Sequence, residues 1–230
     1  MNNTGAPERV CFFTGLNTDS RTARGLAVAA FEFGFGSLDI PVEAYTLEDV
    51  ANDLEGALEA AKGSFVGLHS AGHGILKQML DRGIEPSQIA SFNPPGKTSE
   101  PRLVYGALKR FGIHAARSIT GPDAKANWEI TAGTRLSITD PRHNAFLLPQ
   151  ISEYTSALWL QEFMGMGVPV ATLTGSRDEF GKTYIEEGEM MGEHNVTVTT
   201  CHDGVLLNPL AAFMAIDGLR ILKRRHTLAA

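Results

Sequence analysis

Basic charge is scarce in this 230-residue chain. Its 20 Lys and Arg are outnumbered by 26 Asp and Glu, leaving a formal net charge of −6. A nucleic-acid partner usually requires a basic face, so that class is set aside. The basic run Lys223-Arg224-Arg225 is short and terminal, and reads as a solvated helix end. Cysteine is nearly absent. Cys11 and Cys201 lack metal-ligand spacing and lie beside β-like runs, so both are expected buried and reduced. No apolar run reaches the ~18 residues of a membrane span. Met1 to Arg9 is polar and unlike a signal peptide, which makes a cytoplasmic chain the expectation. There is no internal repeat and no low-complexity segment.

What the chain does have is enough apolar material for a sizeable core, 43% hydrophobic against 20% charged residues. Six short apolar runs recur: Val10 to Thr14, Ile40 to Tyr45, Ser64 to His69, Gln88 to Asn93, Val168 to Thr174 and Val196 to Cys201. Helical patterns lie between most of them. Thr46-Leu-Glu-Asp approximates a capping box ahead of Val50, Leu54, Ala57, Leu58 and Ala61 on one face. A helix is predicted from Ala71 to about Arg82, and a last one from Asn208 and Pro209 to about Arg224. Short runs alternating with helices predict an α/β chain with a parallel sheet buried on both faces. Residues 97–148 break the rhythm. They hold one amphipathic pattern (Leu103, Val104, Ala107, Leu108, Phe111) and an alternating stretch, Trp128 to Thr139, that reads equally as hairpin or loop. A long insertion at one place in such a sheet is often functional, so a cap or lid within a single domain of residues 1–230 is expected.

Ligands of open α/β sheets sit beyond the carboxyl ends of the strands. There the sequence places Gly15-Leu16-Asn17, then His69 and Ser70, Asn93, Arg177 and Asp178, and His202. A serine, an acid and a histidine thus follow three strands, in that order. A serine hydroxyl needs a base within reach to become a nucleophile, and His202 fits that role. The imidazolium then formed needs a carboxylate behind it, and Asp178 fits. The N–H of Ala71, at the start of the next helix, suits a developing oxyanion.

These stretches resemble the α/β-hydrolase family. Leu68-His69-Ser70-Ala71-Gly72 approximates its Gly-x-Ser-x-Gly elbow, Thr174-Gly-Ser-Arg-Asp-Glu179 its acid loop, and Cys201-His-Asp-Gly204 its histidine loop. Phe13-Thr14-Gly15-Leu16 is similar to the loop that supplies the second oxyanion donor, which by that match is the N–H of Leu16. The insertion falls where the family carries its cap. The resemblance covers nearly the whole chain and implies a three-layer α/β/α sandwich with about six strands, all parallel. Two features depart from it. Leu68 stands where the family usually has glycine, so either it points into room most members lack or the turn differs. The first run matches the family's third strand, so the first two strands are missing. The sheet edge this leaves is a place for a partner chain, including a second copy, to pair.

Each candidate has a plainer counterpart. Ser70 also reads as a turn serine and His202 as a loop histidine, while Glu179 and Asp203 rival Asp178 as the acid. His69, taken with His143 as a substrate-binding residue, is expected to orient rather than react. His69 and His73 mimic a metal pair, but the strand-to-helix break between them argues against a shared face, and no metal or cofactor is expected. His73 is placed near the pocket from the first helical turn. His143, in the insertion, either reaches the substrate or belongs to a polar lid surface. The expected activity is hydrolysis of a small carboxylic ester or thioester through an acyl-enzyme on Ser70. Acyl transfer on the same residues and a non-catalytic binding module are the alternatives.

Overall fold

The computed structural model describes residues 9–15, 41–94, 155–176, 192–200 and 204–207, with further helical positions within 21–31 and 213–222. All six apolar runs form strands: β1 (Val10–Phe13), β2 (Val42–Tyr45), β3 (Phe65–His69), β4 (Gln88–Phe92), β5 (Val170–Gly175) and β6 (His194–Val198). They pair in the order β2-β1-β3-β4-β5-β6, every neighbour parallel. Strands β1, β3, β4 and β5 are buried at every position, while the edge strands β2 and β6 are only partly covered. Continuous burial is what near-continuous apolar runs require, because helices close both faces of a parallel sheet.

Alternate residues of each strand divide the core in two. Cys11, Phe13, Val66, Leu68, Ile89 and Val170 face one helical layer. That layer consists of α1 (Leu47–Asn52), α2 (Leu54–Ala61), α3 (Ile75–Asp81) and α4 (Thr155–Gly165). Phe12, Phe65, Ala90, Phe92, Ala171 and Leu173 face the other layer, with Ala27 and Phe31 from the first helical segment and Ile216, Leu219 and Leu222 from the last. The chain therefore folds as the three-layer α/β/α sandwich that the sequence predicts. Among the described residues no helix is long and apolar enough to cross a membrane.

Local chemistry sets the element ends. Thr46 Oγ1 accepts from the Asp49 N–H and the Asp49 carboxylate accepts from the Thr46 N–H, completing the capping box. Such a cap contributes about 1 kcal/mol. The pattern expected to continue to Ala61 is interrupted at Asp53. This residue ends α1 and caps α2, its carboxylate accepting from the Gly56 N–H at 2.9 Å. β6 ends three residues before the expected Cys201, because the Thr200 N–H folds back onto the Val198 carbonyl, which also accepts from Ser176. Cys201, Asn208, Pro209 and the insertion 97–148 lie outside the described residues.

Cys11 is fully buried in β1, and its thiol donates to the Ala60 carbonyl. Burial pushes its pKa up from 9.0 to about 11. The folded protein keeps the thiol neutral where the unfolded chain ionises it, so this contribution is intact below pH 9 and is lost as pH rises from 9 toward 11. Urea denaturation at stepped pH is expected to show stability falling across that window, with a shallower fall in Cys11→Ala. Cys11 is also expected to resist iodoacetamide at pH 8 until the protein unfolds.

Candidate active site

The connection after β1 runs to the layer that holds Ala27 and Phe31, whereas the one after β3 runs to α3 on the opposite face. Adjacent strands whose connections leave to opposite sides mark a topological switch point, where a crevice opens beyond their carboxyl ends. Ser70 stands at that point.

The geometry there is strained. His69 closes β3 in an extended conformation, φ −131° and ψ 131°. Ser70 then turns to φ 50°, a left-handed value that a residue with a side chain rarely adopts. The chain continues as a 3-10 turn, Ser70–Gly74, before α3, in place of the α-helix expected from Ala71. Ser70 itself is half-buried. A strand that breaks sharply into a helix with serine at a left-handed corner lifts that hydroxyl above the sheet. The turn is pressed against β1: a Cβ added at Gly72 would lie 2.3 Å from the Phe13 carbonyl oxygen, too close for any side chain. The elbow and the loop entering Gly15 are thereby held side by side.

Leu68 is accommodated in the α-helical layer. Its side chain is fully buried in the cluster that includes Phe13, Ile75 and Leu76. The glycine the packing demands is Gly67, one position earlier and on the other face, where a Cβ would lie 2.5 Å from the Phe31 ring and 2.7 Å from Phe12.

His73 does not open onto the crevice. It is fully buried, with Nδ1 2.7 Å from the Ser70 carbonyl oxygen and Nε2 2.8 Å from Ser91 Oγ on β4. Both ring nitrogens are engaged, which leaves neither for a metal. Among the described residues there is no cluster of three ligating side chains that could hold a metal ion. His69 is buried at the end of β3.

Beyond β4, Asn93 repeats the left-handed turn at φ 45°. It is fully buried, and its side-chain oxygen accepts from the Gly175 N–H at 2.7 Å, while its own N–H donates to Leu173. Asn93 thus clamps the end of β5 three residues before Asp178. In the sequence alone Asn93 stands at a strand end without a role. The available signal was an asparagine, which tolerates left-handed backbone, between an apolar run and Pro94.

Of the predicted site residues, the structure describes Ser70, Ala71 and His69 together at the end of β3. Leu16, His143, Asp178 and His202 lie outside the described residues. The described roots of the loops that carry Leu16, Asp178 and His202 are Gly15, Ser176 and Thr200, which follow β1, β5 and β6, strands whose carboxyl ends lie at the same side of the all-parallel sheet as Ser70.

Solved structures with the same architecture span nearly the whole chain. One, described with the carboxylesterases of Nitrososphaera gargenis, is 15% identical, has a TM-score of 0.58, and matches over 95% of this chain and 92% of its own. The chain has the α/β-hydrolase fold. A thermophilic esterase from Thermogutta terrifontis shares this hydrolase fold at 14% identity and TM-score 0.57, over 95% and 90% of the two chains. A monoacylglycerol lipase from Paleococcus ferrophilus does so at 13% identity and TM-score 0.57, over 94% and 96%. No family model matches the sequence, and no curated protein matches it.

Removing the Asn93 side chain leaves the buried Gly175 N–H without its acceptor, a cost of about 1–3 kcal/mol. Alanine there adds the left-handed penalty of about 1 kcal/mol that glycine avoids. Chemical denaturation is expected to rank wild type above Asn93→Gly, and Asn93→Gly above Asn93→Ala. Equal stability of the two variants would mean that the backbone at position 93 is not left-handed.

Proposed function

We propose that this chain is a serine hydrolase cleaving a small carboxylic ester, or a thioester, through an acyl-enzyme on Ser70. The observation that carries the reading is the left-handed serine at the carboxyl end of β3, at the switch point of an α/β-hydrolase sheet. A non-glycine residue held in that conformation requires compensation from its surroundings, and such strain concentrates at functional sites. The esterases and the lipase that share the fold support the same bond type.

In this reading His202 removes the proton from Ser70 Oγ as the oxygen attacks the acyl carbonyl carbon. Asp178 orients the imidazole and balances its charge. The N–H groups of Ala71 and Leu16 hold the negative oxygen of the tetrahedral intermediate. His202 returns the proton to the leaving alcohol or thiol as the carbon–oxygen or carbon–sulfur bond breaks. Water, deprotonated by His202, then attacks the acyl-enzyme; the carboxylic acid departs and Ser70 regains its proton. Residues 97–148 form the cap in this scheme, with His143 reaching toward the substrate and His69 packing behind the elbow. In this scheme the chain's own side chains and amides, with one water, carry every step, and no cofactor enters.

Intact-mass analysis after treatment with a fluorophosphonate tests the reading. The expected result is a single adduct on wild type and none on Ser70→Ala, with p-nitrophenyl acetate turnover lost in Ser70→Ala and His202→Gln. Product analysis in the presence of an alcohol separates hydrolysis from acyl transfer. A folded wild type that takes no adduct and turns over no ester contradicts the reading and favours a non-catalytic binding module.

A further inference from the structure

His73 and Ser91 are two buried polar residues that the proposed reaction leaves unused. A carbonyl oxygen can only accept, so the 2.7 Å contact requires that His73 Nδ1 carry a proton and donate it to the Ser70 carbonyl. With Nδ1 protonated in the neutral ring, Nε2 is an acceptor, and the Ser91 hydroxyl 2.8 Å away donates to it. The register places Ser91 opposite Leu68 on β3, so the ring is held by the strand next to the one that ends in the elbow.

The Ser70 carbonyl and the Ala71 N–H belong to one planar peptide unit and point in opposite directions. Fixing the carbonyl therefore fixes the aim of the N–H. We propose that His73, seated by Ser91, is a positioning residue that aims the Ala71 N–H at the oxyanion. The proposal rests on the serine-hydrolase reading and deepens it. The link runs from β4 through Ser91 Oγ, His73 and the Ser70 carbonyl to the Ala71 amide. Donation into the carbonyl also polarises the peptide, which strengthens its N–H as a donor. With Ser70 at φ 50°, the tether adds a second hold on the peptide plane that follows a strained corner.

The test uses the full chain as wild type, His73→Leu, His73→Asn and Ser91→Ala. The probes are p-nitrophenyl acetate, a fluorophosphonate, and hydrogen exchange of the amides of residues 69–74. Asparagine keeps an N–H donor near the position of Nδ1; leucine keeps bulk without it. Removing an oxyanion donor outright costs about 100- to 1,000-fold in kcat, so a misaimed donor is expected to cost roughly 10- to 50-fold in His73→Leu. KM should stay within about twofold, because the group acts on charge that develops in the transition state. His73→Asn should recover most of the loss. Ser91→Ala, a small change tolerant of folding, should show a weaker loss in the same parameter. Exchange at the elbow should quicken in His73→Leu and Ser91→Ala and return toward wild type in His73→Asn.

Wild-type kcat in folded His73→Leu overturns the proposal. So does a loss that follows thermal stability alone and is not recovered by asparagine. If wild type shows neither turnover nor labelling, the hydrolase reading is what fails, and exchange alone decides the tether: quickened exchange with asparagine rescue supports it, and unchanged exchange overturns it.

Discussion

Ser70 can hold φ 50° only because the segments on either side of it are fixed before the turn begins. β3 enters from the centre of the sheet, buried at all five positions between β1 and β4. α3 leaves the turn anchored by Ile75, Leu76 and Met79 in the core. Between them Gly72 passes against the Phe13 carbonyl with no space for a Cβ, and the His73 ring grips the Ser70 carbonyl. A left-handed residue with a side chain costs about 1–2 kcal/mol. Burial of three large side chains on α3, at about 1.5–3 kcal/mol each, exceeds that cost several-fold. The strain therefore persists because relaxing it would withdraw a helix from the core.

The all-parallel sheet gives that corner its chemical setting. Every strand ends on the same side, so residues far apart in sequence converge there without any long-range contact designed for the purpose. β4 separates β3 from β5, which puts their axes roughly 10 Å apart at the usual strand spacing. The partners proposed for Ser70 follow β5 and β6, on the far side of β4 from β3. Asn93, at the end of β4, ties that strand to β5 through the Gly175 N–H, and Ser176 is in turn bonded to Val198 at the end of β6. Two left-handed residues, Ser70 and Asn93, thus stand at the ends of neighbouring strands. One presents a hydroxyl; the other braces the end of β5 through the Gly175 N–H.

Much of this architecture was legible in the sequence because parallel strands buried on both faces leave unbroken apolar runs. Val10 to Thr14 and Ser64 to His69 could be read without knowing their partners. The elbow was legible because serine, a small residue and Gly72 directly follow such a run. What escaped were features that depend on partners distant in sequence or on competition at a single residue. Nothing local shows that Asp53 caps a new helix rather than continuing the old one. The threonines at 197, 199 and 200 extend the β-like pattern past the point where Val198 takes two loop donors. His73 looked like a pocket residue because its position three after Ser70 was visible, whereas Ser91, on another strand, was not. Leu68 reads as an obstacle in the sequence because the glycine of the family pattern serves the turn. In this chain the glycine opens space at residue 67 for Phe31, and Leu68 fills the opposite layer.

The most direct measurement is a crystal structure of the protein after reaction with a fluorophosphonate. The proposed reaction requires phosphorus bonded to Ser70 Oγ, Ser70 still left-handed, and the phosphoryl oxygen within hydrogen-bond distance of the Ala71 and Leu16 amides. It also requires His202 beside Oγ and Asp178 behind the imidazole. An unmodified Ser70 in well-ordered crystals, or a phosphoryl oxygen directed away from the Ala71 amide, would contradict it.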